Sequence, residues 1–324
     1  MKHFESFLSP LLNEYLTYRQ NLGYSLKTLR YHLLIFDRYL IEKKADWRSF
    51  QPGLFLDMRA SLKMESRSLN RNLSAIRRFF QFLVREEYLE ENPLQDIPPL
   101  KENTVVPFIF SPEQIEQLLE AFSKRIHKTK IRFLYDFAIY LAMVLLARCG
   151  MRISEPLRLQ RHHYRRDDAT IYIEKTKFSK DRLIPIPKSV ITEIENYLSV
   201  RKSLLLNDQS PFLLVRTDQR PLTDERVRYF FHKALKNIGI DQKRSVIGNV
   251  NFSQPNPHSL RHSFAVNTLL DIKKRNESPQ YALPILAAYM GHRIYWYTSI
   301  YLRVVDAVSR KNLVDFSLWQ ERMQ

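Results

Sequence analysis

Three tyrosines lie close together near the C-terminus, in the segment MGHRIYWYTSIYLRV: Tyr295, Tyr297 and Tyr301. A tyrosine hydroxyl can act as a covalent nucleophile, but its pKa near ~10 makes it a poor one at neutral pH. A covalent role therefore needs cations and a proton acceptor from other parts of the chain. Without them the ordinary interpretation is packing, because the chain has 17 tyrosines.

Candidate cations and acceptors occur at four sites in chain order. Arg152 follows a glycine in ARCGMRISEPLRL, and Lys177 lies in the turn region of a predicted hairpin, ATIYIEKTKFSKDRLIPIP. His258 and Arg261 are three residues apart in PHSLRH, a spacing that places them on one face of a helical turn. His292 follows a glycine in MGH. Each residue alone is more often a surface or salt-bridging group, so the joint arrangement carries the argument.

The net charge of +17 indicates a polyanionic partner, with nucleic acid as the first choice and an anionic membrane surface as the second. One cysteine, Cys149, excludes an internal disulfide and a multi-cysteine metal site. The longest apolar run, Phe137 to Ala147, is too short to span a bilayer and predicts a buried helix. The N-terminal residues lack the apolar core of a signal peptide, and we expect a cytoplasmic protein.

Prolines between residues 93 and 112 predict a linker, because proline lacks an amide donor and disfavours helix in the residue before it. We expect a helical domain over residues 1–95, a linker over 96–107 and a second domain over 108–324. Ser111 is predicted to cap the first helix of the second domain. That domain is predicted to be mostly helical, with one β-hairpin formed by residues near 170–175 and 182–186.

The first domain shows apolar residues at three- and four-residue spacing, which is typical of amphipathic helices. In its last helix they form a stripe: Leu69, Leu73, Ile76, Phe80 and Leu83. Gly23 and the Pro52-Gly53 pair are interpreted as breaks between helices. Four arginines lie on or beside another face of the last helix, and we interpret them as DNA-phosphate contacts or as a solvated face: Arg67, Arg71, Arg77 and Arg78.

The motifs, in this order, resemble those of the tyrosine recombinase/integrase family. GMRISE is similar to its first arginine box, KTKFSKDRLIPIP to its lysine hairpin, HSLRHSFA to its His-x-x-Arg box, and MGH…TSIY to its terminal motif. TLRYHLLIFDRYL and LSAIRRFFQFLVREEYLEENPL resemble its N-terminal core-binding domain. The resemblance covers nearly the whole chain. It implies a mainly α fold with a small β-hairpin, arranged as a two-domain, C-shaped DNA clamp.

The resemblance implies that Arg152 and Arg261 clamp the scissile phosphate. A planar guanidinium can bond two phosphate oxygens at once, so two of them could stabilise the transition state without a metal ion. Lys177 lies five residues before Arg182, which is the family's spacing for the general acid.

The same resemblance gives His258 the role of general base and His292 that of a phosphate-binding residue. Tyr301 lies nine residues after His292, where the family has its nucleophile, whereas Tyr295 and Tyr297 do not fit this spacing. Because cations favour phenolate, we expect the nearby arginines to lower the pKa of Tyr301.

The implied function is site-specific DNA recombination through a 3′-phosphotyrosyl intermediate, without metal, ATP or another cofactor. Integration or excision of a mobile element, and resolution for a plasmid or chromosome, all use this chemistry. Two alternatives are a strand-passing tyrosine topoisomerase and a catalytically inactive DNA-binding accessory protein.

The implied partners are double-stranded DNA target sites and further copies of the chain in a tetrameric synapse, with no membrane partner. A second recombinase or an accessory DNA-bending protein is left open. The tail over residues 312–324 carries several apolar side chains. It either packs on its own domain or docks on a neighbouring subunit.

Overall fold

The computed structural model describes residues 3–174, 181–240, 242–292, 298–302 and 305. The chain divides into two compact units, the first of residues 1–104 with 248–250 and the second of residues 105–247 with 251–324. The division falls within the predicted linker, and the predicted domain boundaries stay a prediction.

The first unit is helical. Its helices among the described residues are α1 (Ser9–Asn21), α2 (Lys27–Lys43), α3 (Pro52–Ser61) and α4 (Ser66–Arg85). The predicted apolar stripe along α4 is confirmed, because all five of its residues are at most 6% exposed. The ring of Phe80 in this stripe lies 5.0–5.9 Å, centroid to centroid, from three other rings, those of Phe36, Phe50 and Phe55. Burial of these large aromatic surfaces holds α2, α3 and α4 together.

One predicted helix break is wrong. The Pro52-Gly53 pair does not separate helices: Pro52 is the first residue of α3. Proline suits this position, because the first amide of a helix has no partner within the helix. Gly23 does lie between α1 and α2, with a left-handed φ of +80°.

The second unit contains the remaining described helices: α5 (Pro112–Lys124), α6 (Lys130–Arg148), α7 (Lys188–Leu204), α8 (Asp224–Asn237), α9 (Pro257–Lys274) and α10 (Pro279–Met290). The predicted cap of α5 is confirmed: Ser111 Oγ accepts from the Gln114 amide at 3.2 Å, and the Gln114 side chain accepts from the Ser111 amide at 3.0 Å. The apolar run of α6 is packed in the core of this unit, and Cys149 after it is 1% exposed. The predicted buried helix is therefore confirmed.

Short strands accompany the helices: β1 (Thr104–Val106), β2 (Tyr164–Arg165), β3 (Thr170–Ile173), β4 (Arg182–Pro185), β5 (Ser245–Ile247) and β6 (Val250–Phe252). Strands β2, β3 and β4 form an antiparallel sheet in that order, with Ile171 opposite Ile184. The predicted hairpin is thus confirmed as β3 and β4. Residues 175–180, which join the two strands in sequence, lie outside the described residues. The residues of β1 and of β6 are divided between the two units, whereas β5 belongs to the second unit.

The predicted fold class, mainly α with small sheets, is confirmed. The clamp arrangement of the two units stays a prediction. Of the helices described, none combines the length and apolar character that crossing a membrane requires.

Candidate active site

Arg261 is a buried cation that links three parts of the second unit. It lies near the start of α9 and is 1% exposed. Its Nη1 donates to the carbonyl of Gly150, just after α6, at 2.7 Å, and its Nη2 donates to the carbonyl of Met290 at the end of α10. Burial, and then the nearby Arg152, lower the pKa of Arg261 to about 9. The guanidinium therefore stays charged at neutral pH and is held in place by main-chain carbonyls.

Gly150 supplies one of those carbonyls from a backbone conformation that favours glycine. Its φ is +56°, in the left-handed region, and a Cβ at this position would lie 2.5 Å from the ring of Phe264. A side chain here would have to displace the ring of Phe264.

Glu155 is a buried carboxylate that joins two arginines. Its Oε1 accepts from Arg152 Nη1 at 2.9 Å, and its two oxygens accept from Arg182 at 3.0 and 2.9 Å. Arg152 also donates to the carbonyl of Gly291 at 3.1 Å, and Arg182 donates to that of Tyr289 at 2.8 Å. Burial raises the pKa of Glu155, but the hydrogen bonds and charge of Arg182 outweigh it and the pKa is lowered. The ionised carboxylate therefore fixes both arginines against the end of α10.

Replacing Glu155 with glutamine should destabilise the protein and disorder Arg152. Glu155 is 7% exposed, and breaking a buried ion pair by neutralising one partner costs about 3–5 kcal/mol. Denaturant unfolding of Glu155→Gln should show a loss of this order. The matched control is Glu116→Gln, which breaks an exposed pair with Arg148 and should cost about 1 kcal/mol or less. Equal effects of the two changes would contradict the structural role of Glu155.

Two predicted histidines lie at the ends of helices. The amide of His258, in the first turn of α9, donates to the side chain of Asn256 at 2.9 Å, and its ring remains accessible to solvent. His292 follows α10, and its Nδ1 lies 2.8 Å from Thr298 Oγ1. The His292 ring stacks at 6.4 Å, centroid to centroid, on the ring of Tyr301. Partial burial, and then the charges of the nearby arginines, lower the pKa of both histidines, so both are neutral at pH 7.

Tyr301 is 3% exposed, and its hydroxyl lies 2.9 Å from Nδ1 of His262. The pKa of Tyr301 is raised: burial raises it more than the charges of Arg261 and Arg152 lower it. The expectation of a lowered pKa for Tyr301 is therefore wrong. The arginines do act on the phenol in the expected direction, but removal from water is the larger effect.

Five of the six residues predicted to act in catalysis lie together in the second unit: Arg152, His258, Arg261, His292 and Tyr301. Lys177 falls within residues 175–180, and Tyr295 and Tyr297 within residues 293–297; both segments lie outside the described residues.

In the part of the chain that the structure describes, no three His, Cys, Asp or Glu side chains are grouped to hold a metal ion. Metal independence stays a prediction.

Three residues of the site were not selected from the sequence: Glu155, Arg182 and His262. Glu155 follows Arg152 by three residues within GMRISE, a spacing that could have indicated the pair. Arg182 served only to locate the lysine hairpin, and its contact with Glu155 joins distant segments. His262 is next to Arg261 and four residues after His258, so helical spacing could have placed it on the face of His258.

Two of the predicted DNA-binding arginines line a surface cavity of the first unit. Arg71 and Arg78 lie on α4 and line one surface cavity of about 460 Å³ together with Arg19 and His32. Partial burial, and then the charges of Arg71 and Arg78, lower the pKa of His32. Three arginines and one carboxylate, that of Glu102, line the cavity, so its wall carries a net positive charge, which suits an anionic ligand.

The other two arginines contact residues outside their own helix. Arg67 forms a half-exposed ion pair with Glu102 at 2.9 Å. Arg77 donates to the carbonyl of Leu94 at 3.0 Å and to that of Ile97 at 2.6 Å. Arg77 therefore holds the segment after α4, and a contact between its side chain and DNA stays a prediction.

Comparison with known proteins identifies the family. The phage integrase family model matches residues 109–307, and the N-terminal SAM-like domain of phage integrases matches residues 12–87. The chain is 28% identical to tyrosine recombinase XerA of Pyrococcus furiosus over 95% of this chain and 96% of that protein.

It is also similar in fold to two recombinases solved with DNA. One is XerH bound to a palindromic difH substrate, with a TM-score of 0.68 and 20% identity over 95% of this chain and 84% of the other. The second is a lambda integrase tetramer bound to a Holliday junction, with a TM-score of 0.63 and 17% identity over 89% and 77%. The chain therefore belongs to the phage integrase family and is a tyrosine-type site-specific DNA recombinase.

Proposed function

We propose that this recombinase cleaves DNA by attack of Tyr301 on a phosphodiester bound by Arg152 and Arg261. The observation that carries the proposal is the position of the Tyr301 hydroxyl, which is buried, hydrogen-bonded to a histidine and within reach of both arginine charges. Arg261 uses two nitrogens on main-chain carbonyls, and a guanidinium has further N–H donors for phosphate oxygens. Fixed donors in a site shielded from water stabilise the charge that develops on those oxygens.

The bond changes balance without an external energy source. In cleavage, a bond forms between Tyr301 and phosphorus, and the 5′-oxygen leaves with a proton. In rejoining, the 5′-hydroxyl of another strand attacks the phosphotyrosyl bond and releases Tyr301. Because one ester replaces another, the bond energy is kept and no nucleotide is consumed.

Lys177 is the proposed donor of the proton to the 5′-oxygen. Lys177→Ala should cleave normal DNA roughly 10²–10⁴-fold more slowly than the parent protein, because the 5′-oxygen then leaves unprotonated. A substrate with sulfur at the 5′-bridging position has a leaving group that needs no proton, so it should largely restore the rate. Equal impairment on both substrates would give Lys177 a positioning role, and Lys175 or Lys180 would become the candidate acid.

Arg71 and Arg78 are the proposed phosphate contacts of the first unit, supported by their exposure in a positively charged cavity. Each alanine substitution should weaken binding to all DNA sequences and lower the salt slope of log K by about 1, because one phosphate contact is lost. Titrations of full-length variants at several salt concentrations measure this. Arg48→Ala removes an exposed arginine outside that cavity and serves as the control. Unchanged salt slopes for Arg71→Ala and Arg78→Ala would contradict the proposal.

Double-stranded target DNA and a tetrameric synapse are the proposed assembly, supported by the DNA-bound relatives of the same fold. The proposed assembly includes docking of the tail on a neighbouring subunit. The tail, residues 312–324, lies outside the described residues. A cytoplasmic location is proposed because the substrate is DNA. The proposed biological role is integration, excision or resolution for a mobile element, plasmid or chromosome. Neither a topoisomerase nor an inactive accessory protein is favoured.

A nicked DNA substrate tests the proposed chemistry. If the strand carries a nick just beyond the scissile phosphate, cleavage releases a short fragment that carries the new 5′-hydroxyl. This fragment diffuses away and cannot rejoin. The protein should then accumulate as a covalent adduct with the 3′ end of the DNA. Binding without any adduct on a cognate site would contradict the proposal.

A further inference from the structure

The Tyr301 hydroxyl has a neighbour to which the family motifs assign no role. His262 Nδ1 lies 2.9 Å from Tyr301 Oη, within hydrogen-bond reach. His262 follows His258 by one helical turn of α9, and their rings lie 4.6 Å apart, centroid to centroid. The hydrogen bond of the tyrosine is therefore made by the second histidine of HSLRH and not by the first, to which the resemblance gives the role of base.

We propose that His262 accepts the proton of Tyr301 as the phenol attacks phosphorus, and returns it when the strand is rejoined. The inference rests on the proposed role of Tyr301 as nucleophile. In cleavage the Oη–H bond breaks, the Oη–P bond forms and the P–O5′ bond breaks, while the 5′-oxygen takes its proton from Lys177. In rejoining, the 5′-hydroxyl returns a proton to Lys177, and Tyr301 leaves with the proton held by His262.

The phenol needs such an acceptor. Burial keeps Tyr301 protonated at neutral pH despite the charges of Arg261 and Arg152. A bound phosphodiester brings a negative charge next to those arginines and offsets their effect on the phenol further. Cations alone therefore do not supply a phenolate, and the proton has to pass to a group within hydrogen-bond reach.

His262 is in the right state to accept it. Burial, and then His258, Arg261 and His292, lower the pKa of His262 to about 3, so the ring is neutral at pH 7. In the tautomer of His262 with the proton on Nε2, Nδ1 is unprotonated and accepts the hydrogen bond of the Tyr301 hydroxyl. The negative charge of a bound phosphate would raise the basicity of the ring at the step in which it takes the proton.

The test measures the rate of adduct formation by the full chain on saturating nicked DNA. His262→Ala should be slower by roughly 10²-fold or more, which is the usual contribution of a general base. His262→Gln keeps an oxygen that can accept a hydrogen bond but cannot carry the proton, and should be equally slow. Parental DNA affinity would show that both variants are folded. If His262→Ala does not fold, His262→Gln carries the test.

Fluorinated tyrosine at position 301 separates base catalysis from positioning. Fluorination makes the phenol more acidic, so its attack on phosphorus depends less on a base. It should therefore raise the rate of adduct formation in the His262 variants by at least about tenfold. The control is His258→Ala, one helical turn away. Fluorination should raise its rate of adduct formation no more than it raises that of the parent protein.

Three results would overturn the inference: a parental rate for His262→Ala, full recovery in His262→Gln, or an equal gain from fluorination in parent and variants. A parent that forms no adduct would instead contradict the proposed function.

Discussion

Tyr301→Phe should bind DNA with parental affinity and form no covalent adduct on a nicked substrate. The change removes only the hydroxyl, which is the attacking atom, and leaves the ring that stacks near His292. Loss of the hydrogen bond to His262 should cost only about 1 kcal/mol of stability, so the variant should remain folded. The effect on cleavage is the largest we expect, because the variant lacks the attacking atom itself.

The matched controls are Tyr295→Phe and Tyr297→Phe, which remove the same atom from the other tyrosines of the segment. Both should still form the adduct. Adduct formation by Tyr301→Phe, or its loss in either control, would contradict the assignment of the nucleophile.

The second large effect is expected at Arg261. Arg261→Lys keeps a positive charge but loses the planar fork that holds two carbonyls and that we propose binds the phosphate. Cleavage at saturating DNA should slow by roughly 10²–10³-fold, as it does when one preorganised donor is removed. Affinity for DNA should fall far less, because it is spread over many phosphate contacts.

Arg201→Lys provides the control for simple loosening of the fold. Arg201 is also 1% exposed and donates to the carbonyls of Phe212 and Leu213, while its charge pairs with Asp208. This variant should lose stability yet cleave at close to the parental rate under conditions where it is folded. If Arg201→Lys lost as much activity as Arg261→Lys, the loss at Arg261 would reflect packing and not catalysis.

Local features of the fold could be predicted because their causes are local. The stripe on α4 follows from helical periodicity, and Ser111 caps α5 through a residue three positions away. The Pro52-Gly53 pair was misread because the same residues suit a loop and the first turn of a helix. What separated these two readings was the packing of Phe55 in the core of the first unit.

The candidate site could be predicted only as far as its motifs reach. The contact between Glu155 and Arg182 joins residues 27 positions apart, and that between His262 and Tyr301 joins residues 39 apart. Periodicity within a helix carries no information about such partners. The raised pKa of Tyr301 likewise depends on burial by residues distant in sequence, so a count of nearby arginines gave the wrong sign.

The most direct test of the central claim is to map the DNA attachment site on the parent protein. After trapping on nicked DNA and digestion with nuclease and trypsin, the peptide IYWYTSIYLR, residues 294–303, should carry the nucleotide. It contains all three candidate tyrosines, so its fragmentation spectrum distinguishes them in one measurement. We predict a 3′-nucleotide on Tyr301 and none on Tyr295 or Tyr297. Attachment to either of those residues, or to another peptide, would contradict the account.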